Sequence, residues 1–249
     1  MQIKIHKILF ISILCITLIS LSSCEKYDLL KGSGKTIVIE RQLLDFGSIE
    51  VNDLFEISLM KDSSNKVIIS GGENLLDKIK TDINNNSLII SDNNTCGWTR
   101  SYEDKIQIEI HYKTLNHLIL NGEATVKCKN TIEMSNLAID VHSGIAILDL
   151  NLNCESMNFN VHGGTGNYFL SGKIGYCYTY INGNGYLFAD SLKTDFMYIN
   201  NSSTGDLHIN VIKELEYTIK NRGNIYYTGD PYKITIVEGF GKGKLIREN

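Results

Sequence analysis

The feature that most constrains the fold of this chain is a repeat in its second half. Segments with a strand-like apolar pattern, each followed by small residues, recur there at intervals of about 18 to 22 residues. The equivalent small residues are Ala124, Ala146, Gly166, Gly185, Gly205 and Gly223. A near-constant period of this length is typical of a solenoid, in which each repeat packs only on its neighbours.

The content of each repeat decides which kind of solenoid is expected. Every repeat offers two or three short strands separated by turns, and none carries a leucine-rich pattern or a long amphipathic helix. One proline and 21 glycines indicate turns built from glycine and asparagine. We therefore predict an all-β chain that forms a single parallel β-helix, or β-solenoid, with one repeat per coil.

Polar side chains follow the strand in successive repeats, so we expect them to lie above one another along the solenoid. The members of this predicted turn ladder are Asn121, His142, His162, Asn182 and Asn200. Stacked amides and imidazoles can hydrogen-bond along the axis and stabilise a corner. Two stacked histidines could also share a metal ion. Because no carboxylate or third histidine recurs in this column, we predict no metal site and no cofactor.

The first part of the chain also alternates, and short strands are predicted from Lys35 onward. One short helix is predicted from Asn74 to Lys80, with Asn74 as its N-cap. A polar loop between the strands carries Trp98, Arg100 and Tyr102. We predict these three residues as a candidate ligand contact; the alternative is that Trp98 covers an open end of the solenoid.

The amino terminus predicts export. Lys4 and Lys7 precede an apolar stretch over residues 8–19, and Leu-Ser-Ser-Cys then ends at Cys24. This tetrapeptide resembles the lipobox of bacterial lipoproteins, which implies cleavage before Cys24 and lipid on its thiol. An ordinary secretory signal with an incidental Cys24 is the alternative. The apolar stretch is short for a permanent transmembrane helix, which needs about 20 residues.

These observations divide the chain into three parts. Residues 1–23 are predicted to be a lipoprotein signal peptide, residues 24–34 a lipidated linker, and residues 35–249 the β-helix domain. The predicted location is the cell envelope, with the lipid in the outer membrane and the domain periplasmic or surface-exposed. Loss of the two lysines changes the formal net charge from −4 to −6. Nucleic acid is therefore not a predicted partner, because its binding needs a basic patch.

Four cysteines follow the predicted lipid carrier, namely Cys96, Cys128, Cys154 and Cys177. An exported protein can form disulfides, and the sequence leaves all three complete pairings of these thiols open. No CxxC pair is present, which disfavours a structural zinc site. We expect the cysteines to be buried small side chains or to form one or two disulfides.

The pattern resembles a known family, the putative auto-transporter adhesins with a head GIN domain. The matching stretches are residues 40–51, residues 73–81, residues 223–231 and residues 239–243. The Ser-Gly-Ser-Gly turns usual in that family are replaced here by other small-residue turns. The resemblance implies an exported β-helical domain with an adhesive role, and it carries over no catalytic residue.

Function is predicted from what the repeats present. Tyrosines concentrate between Tyr168 and Tyr232 and could offer rings to a glycan or an envelope protein, although alternation should turn about half of them into the core. Cleavage of a glycan needs two converging carboxylates, and the aspartates do not share one repeated position. We predict a non-catalytic envelope lipoprotein that acts in adhesion. The alternatives are a glycan-cleaving β-helix enzyme and a purely structural assembly role.

Overall fold

The computed structural model describes residues 32–94, 105–142 and 144–248. Within them, no helix is long and apolar enough to cross a lipid bilayer. The elements are β1 (Thr36–Gln42), β2 (Ser48–Val51), β3 (Phe55–Lys61), β4 (Lys66–Gly72), α1 (Glu73–Leu76), β5 (Ile79–Asn84), β6 (Ser87–Asp92), β7 (Gln107–Tyr112), β8 (His117–Leu120), β9 (Ala124–Cys128), β10 (Ile132–Val141), β11 (Ile145–Val161), β12 (Thr165–Ser203), β13 (Leu207–Ile219), β14 (Ile225–Thr228), β15 (Lys233–Gly239) and β16 (Leu245–Arg247).

The second half of the chain is a parallel β-solenoid, as the repeat predicts. Strands β8 to β16 pair in parallel with the strands one coil before and after them. Ala124 pairs with Ala146, and Ala146 pairs in turn with Gly166 on the following coil. Leu207 pairs with Ile225 in the same way. These register pairs repeat at the predicted intervals, so the predicted period and the predicted fold class are confirmed.

The amino-terminal end follows the parallel arrangement predicted from Lys35 onward only in part, because β2 and β3 pair in parallel with their neighbours and other strands do not. Here β1 pairs with β4, β4 with β7, and β5 with β6, all antiparallel. The connection between β5 and β6 explains one of these pairings, because Asn85 and Asn86 both have positive φ, 49° and 64°. Two such residues in a row form the tight turn that joins antiparallel strands. The antiparallel strands β1, β4 and β5 lie at the two ends of the strand order, beside β7 and β6.

The helix predicted from Asn74 to Lys80 is shorter in the structure. It comprises Glu73–Leu76, and Gly72 stands at the N-cap without a side-chain hydrogen bond. The Asn74 amide instead donates to the Gly32 carbonyl over 2.9 Å. The strand β5 begins at Ile79, so pairing with β6 takes over the residues predicted to extend the helix. Sheet pairing overrides a weak local helix preference here.

The core is a stack of apolar side chains inside the coils. Ile49, Leu118, Ile139 and Phe159 lie in register on four neighbouring strands, and each is at most 1% exposed. Alternation along each strand turns every second side chain into this column and the others to the outside. Burial of each such side chain contributes about 1.5–3 kcal/mol to folding.

The described cysteines pack as small apolar side chains. Cys154 and Cys177 are buried, Cys128 is partly exposed, and all three are free thiols. Burial raises the pKa of the Cys177 thiol to about 11, so it stays protonated and unreactive at neutral pH. The fourth candidate, Cys96, lies outside the described residues.

Candidate functional site

The most distinctive surface of the solenoid is a set of paired aromatic rings on β12. Tyr176 and Tyr178 point outward, whereas the residue between them, Cys177, points into the core. The ring of Tyr176 stacks on that of Phe196 with centroids 4.8 Å apart and planes within 10°. The ring of Tyr178 stacks on that of Tyr198 at 5.0 Å and within 3°. We call these four residues the aromatic groove.

The solenoid period produces this arrangement. Residues one period apart lie on neighbouring coils, so equivalent side-chain positions come within about 4.8 Å, the spacing between strands. That spacing suits parallel aromatic rings, which otherwise prefer offset or edge contacts. Alternate residues on one strand then give two parallel pairs of rings with a gap between them.

Buried sulfur-containing side chains form the floor of the aromatic groove. Met157, Cys177 and Met197 line it and are 2%, 3% and 5% exposed. The groove has a volume of about 290 Å³ and is open to solvent on its outer side. This volume is at the small end of the range for ligand sites, and it suits a flat ring lying across the tyrosines rather than an engulfed ligand.

The two ends of the aromatic groove differ in charge. Ser156 and Asn158 lie one coil before the rings, at a neutral end. Glu214 and Glu216 lie one coil after them, at a charged end where the Lys213 ammonium also lies 5.2 Å from the centre of the Phe196 ring. Glu214 accepts hydrogen bonds from Lys233 at 3.0 Å and from Tyr232 at 2.9 Å. These bonds hold the pKa of Glu214 below its usual range, so it is a fixed anion.

A second aromatic stack runs along the solenoid earlier in each coil. Its members, on four successive coils, are Phe169, Phe188, His208 and Tyr226, with neighbouring centroids 4.9, 6.0 and 4.7 Å apart. Phe169 and Phe188 are 42% and 36% exposed. This aromatic column is a single row, and it lacks the second parallel row that makes a groove.

The predicted turn ladder places a histidine and aspartate cluster at one corner. His142 and His162 stack at 4.8 Å with planes within 8°. Asp140 accepts hydrogen bonds from His117 at 2.6 Å, from His162 at 2.9 Å and from Asn160 at 3.2 Å. Burial raises the pKa of Asp140, but these three bonds outweigh it, so the pKa is lowered. The carboxylate therefore lies between two rings and organises the corner.

The remaining ladder residues divide into two groups. The Asn182 amide donates to the His162 carbonyl over 3.2 Å, so Asn182 continues the column. The Asn121 amide, one coil before His142, donates to Asn52 over 2.8 Å. Asn200 lies elsewhere: because Tyr198 stacks on Tyr178, Asn200 aligns with Tyr180, and it pairs with Thr218 on the next coil.

Ser202 occupies the ladder position predicted for Asn200. The Asn221 amide donates to the Ser202 carbonyl over 3.2 Å, which continues the hydrogen-bonded column. The stacking of Tyr178 on Tyr198 shows how many residues separate equivalent positions on these two coils. This separation is two residues longer than that between Asn182 and Asn200, so Asn182 and Asn200 are not equivalent. The difference keeps Asn200 on an outward position but moves it off the corner.

Four predicted functional residues lie outside the described part of the chain. They are the predicted lipid carrier Cys24 and the loop residues Trp98, Arg100 and Tyr102. The sequence predicts exposed tyrosine rings in this part of the chain, but sequence reasoning missed the paired rows that form the aromatic groove, although the signal for them is present. Tyr176 and Tyr178 recur as Phe196 and Tyr198 one period later, and that coincidence marks a stacked double row.

Comparison with known proteins identifies relatives. The family model described as "Putative auto-transporter adhesin, head GIN domain" matches residues 45–231. A search of curated proteins gives no match. Among solved structures, a "putative adhesin" from Bacteroides fragilis is similar, with 22% identity, a TM-score of 0.80, and coverage of 86% of this chain and 97% of that one.

Two further solved structures share the fold. A "putative adhesin" from Parabacteroides merdae is 19% identical with a TM-score of 0.66, covering 88% of this chain and 99% of that one. Another from Parabacteroides distasonis is 17% identical with a TM-score of 0.64, covering 87% and 98%. At these identities the similarity establishes the shared fold.

Proposed function

This chain belongs to the family described as putative auto-transporter adhesin, head GIN domain, and we propose that it is a surface-interaction module that binds a glycan in the aromatic groove. The observation that carries the proposal is the double row of Tyr176, Tyr178, Phe196 and Tyr198 over an apolar floor. The C–H face of a sugar ring packs on an aromatic face, while its hydroxyls need polar partners at the edges.

The groove supplies such partners at both ends. Ser156 and Asn158 offer hydroxyl and amide groups at one end, and Glu214 and Glu216 offer acceptors at the other. Tyrosine also presents a hydroxyl beside its apolar ring, which suits a ligand with mixed faces. Lys233 pairs with Glu214, and the Lys213 ammonium lies 5.2 Å from the centre of the Phe196 ring, so this end of the groove carries charges of both signs and can meet polar groups of a neutral glycan with donors as well as acceptors.

The groove chemistry favours binding over the alternative of glycan cleavage. A glycosidase needs one protonated carboxylic acid with a raised pKa and a second carboxylate across the bond. Glu214 has the opposite shift, because its bonds from Lys233 and Tyr232 lower its pKa. We therefore propose a non-catalytic role.

A panel of bacterial and host polysaccharides, together with envelope proteins, tests the proposed function. The purified full chain is compared with the Tyr176→Ala and Tyr178→Ala variants. Loss of one stacking platform should weaken glycan binding about fivefold or more, taking the roughly 1–3 kcal/mol per ring that aromatic stacking contributes to the binding of nucleic-acid bases as a guide. A matched control is Tyr186→Ala, because Tyr186 and Tyr178 are 43% and 42% exposed and only Tyr178 lies in the groove.

The outcomes separate the candidate functions. Binding that both groove variants lose and the control keeps supports the proposal. Binding that all variants keep places the contact elsewhere on the surface, and silence across the whole panel contradicts adhesion to these ligands. Release of shorter sugars from a bound polysaccharide would instead favour the glycan-cleaving alternative.

The second part of the proposal is the location. Lipid on Cys24, after removal of residues 1–23, would hold the solenoid at the outer membrane through residues 24–34. Stable attachment needs more than one acyl chain, which lipidation of the thiol together with the new amino terminus would provide. The predicted leader has the length and charge of a secretory signal.

Metabolic labelling with palmitate tests the anchor. The wild-type chain should carry label and fractionate with membranes, and Cys24→Ser should lose both properties. Cys15→Ser is the matched control, because Cys15 lies within the apolar stretch and precedes the predicted cleavage site. Label that survives Cys24→Ser, or wild-type protein that is soluble and unlabelled, contradicts lipid attachment at Cys24.

A further inference from the structure

We propose that Asp190, His208 and Glu248 form a binding site for a divalent transition metal such as zinc. One ligand atom from each residue, an imidazole nitrogen and two carboxylate oxygens, lies within 4.8 Å of the others. The site is independent of the aromatic groove and of the proposed glycan binding.

Three coils contribute one ligand each. Asp190 lies on β12, His208 on β13 in the next coil, and Glu248 directly follows β16 at the carboxyl-terminal end. The Asp190 carbonyl accepts a hydrogen bond from the Asn210 amide over 3.0 Å, and the Glu248 amide donates to the Tyr227 carbonyl over 2.9 Å. The backbone at both carboxylates is therefore fixed by neighbouring coils.

The distances between the ligand atoms fit a metal ion. Zinc binds nitrogen and oxygen at about 2.0–2.2 Å, so two ligands of a tetrahedral site lie about 3.4 Å apart. The Nδ1 atom of His208 is 3.2 Å from a Glu248 oxygen and 3.9 Å from an Asp190 oxygen. The two carboxylate oxygens lie within 4.8 Å of each other, so they must move closer together around an ion for all three ligands to bind it.

The imidazole is held in place before any ion arrives. Its ring stacks on Tyr226 at 4.7 Å and within 9°, and it lies 6.0 Å from the ring of Phe188. Because the faces of the His208 ring are packed against these aromatic rings, the Nδ1 edge of the imidazole points towards the carboxylates of Asp190 and Glu248. Positioning of a ligating histidine by its surroundings raises metal affinity.

Charge also favours a cation at this position. Among the described residues, neither Asp190 nor Glu248 has a lysine or arginine within 4.0 Å, and the one basic side chain within that distance of them is the His208 imidazole. Other acids of the same coils are paired with lysine, as in Asp195 with Lys213 and Glu214 with Lys233. Two carboxylates without such a partner leave negative charge that a divalent ion neutralises.

The ligand types select the class of metal. One imidazole nitrogen with two carboxylate oxygens suits zinc and its neighbours in the first transition row. Calcium and magnesium prefer sites made of oxygen atoms alone, and copper(I) prefers sulfur. Water can occupy the remaining positions. Because β16 pairs with β14 and β14 with β13, an ion held by Glu248, His208 and Asp190 would span the coil of β14. It would tie the coil of β16 to those of β13 and β12 and slow its opening.

Isothermal titration of the purified full chain with zinc tests the site, with calcium and magnesium as comparison ions. We expect one equivalent of zinc to bind and the melting temperature to rise in its presence. His208→Gln should weaken binding at least tenfold, and Glu248→Gln, which keeps size and shape, should do the same.

The control variant is His162→Gln, because His162 is also a surface histidine bonded to an aspartate but lies in a different cluster. It should bind zinc like the wild type. Zinc binding that His208→Gln and Glu248→Gln leave unchanged overturns the proposal, as does wild-type protein that binds no zinc at neutral pH. If His208→Gln fails to fold, Glu248→Gln and Asp190→Asn decide the same question.

Discussion

The rings of Tyr178 and Tyr198 are parallel to within 3° with centroids 5.0 Å apart, although the two residues lie a full repeat apart in the chain. The contact occurs at the surface, since Tyr178 is 42% exposed. Tyr178 therefore packs on Tyr198 of the next coil and at the same time presents part of its ring to solvent.

We predict that the stack couples the two coils energetically. In a double-mutant cycle of Tyr178→Ala and Tyr198→Ala, the coupling free energy should be about 0.5–1 kcal/mol, because an aromatic pair contributes that much beyond its buried area. Urea unfolding followed by circular dichroism measures it. The control cycle pairs Tyr178→Ala with Tyr186→Ala, which should be additive within about 0.5 kcal/mol. Additivity in the stacked pair would contradict the coupling.

A glycine at a corner provides the second prediction. Gly172 has φ of 108°, and a Cβ atom there would lie 2.0 Å from the carbonyl oxygen of Leu152 on the previous coil. Gly172→Ala should lower the free energy of unfolding by about 2–4 kcal/mol, from backbone strain together with displacement of a neighbouring strand.

Gly163→Ala is the matched control for Gly172→Ala. A Cβ atom at Gly163 would come no closer than 3.6 Å to any atom, the carbonyl oxygen of His142. The change in the free energy of unfolding should stay within about 0.5 kcal/mol. If both substitutions lowered the free energy of unfolding equally, close stacking of the coils would not be the reason that position 172 requires glycine.

The fold could be predicted from the sequence because stacking imposes small residues at fixed intervals. Close contact between equivalent glycines of neighbouring coils occurs at Gly205, Gly223 and Gly243. A Cβ atom at any of them would lie 2.0–2.1 Å from the carbonyl oxygen of the equivalent glycine on the previous coil. The period of a solenoid is therefore visible in its sequence as small residues at regular intervals. The antiparallel strands at the amino-terminal end have no period, so only local turn residues such as Asn85 and Asn86 could reveal them.

The registration of individual side chains was harder to predict. Asn200 and Asn201 are chemically identical, yet Asn201 is fully buried and its amide donates to the Gly223 carbonyl over 2.9 Å. A period that varies between about 18 and about 22 residues leaves an alignment free to slip by two positions without exchanging inside and outside. Such a slip placed Asn200 in the predicted turn ladder. The alternation that buries Met197 and Ile199 also turns Asn201 inward, but it does not fix which residue of the neighbouring coil each asparagine lies beside.

The third prediction concerns acid stability. The Asp62 carboxylate accepts a hydrogen bond from His111 over 2.7 Å and a second from the Ser63 amide over 2.6 Å. These bonds lower the pKa of Asp62 from 3.8 to about 2. Because the folded-state pKa is lowered, the stabilisation is present above pH 4 and is lost as the pH falls towards 2. Glu109, which bonds the other nitrogen of His111, and Lys129 share the cluster.

The Asp62→Asn variant measures this contribution. The urea midpoint of the variant should lie below that of the wild type at pH 5, and the difference should shrink between pH 4 and pH 2. A difference that is constant over this range would show that Asp62 acts through its shape rather than its charge. Chemical shifts of the Asp62 carboxyl carbon, followed from pH 5 to pH 1.5, give the pKa directly.

The last prediction is a substitution that should stabilise the protein. Tyr168 is fully buried, and its hydroxyl has no hydrogen-bond partner among the described residues. Burial raises the pKa of Tyr168 to about 12, so the group stays neutral. Its ring packs edge-on against Phe159 at 5.2 Å. Tyr168→Phe keeps this packing and removes the buried polar atom, so the free energy of unfolding should rise by about 0.5–2 kcal/mol.

Tyr232→Phe is the contrasting control, because the Tyr232 hydroxyl donates to Glu214 over 2.9 Å at the surface. Removal of the Tyr232 hydroxyl should leave the free energy of unfolding unchanged or slightly lower. Both variants are compared with the wild type by urea unfolding at pH 7. A loss of more than about 1 kcal/mol in Tyr168→Phe would contradict the prediction, since it is the size expected when a formed hydrogen bond is removed.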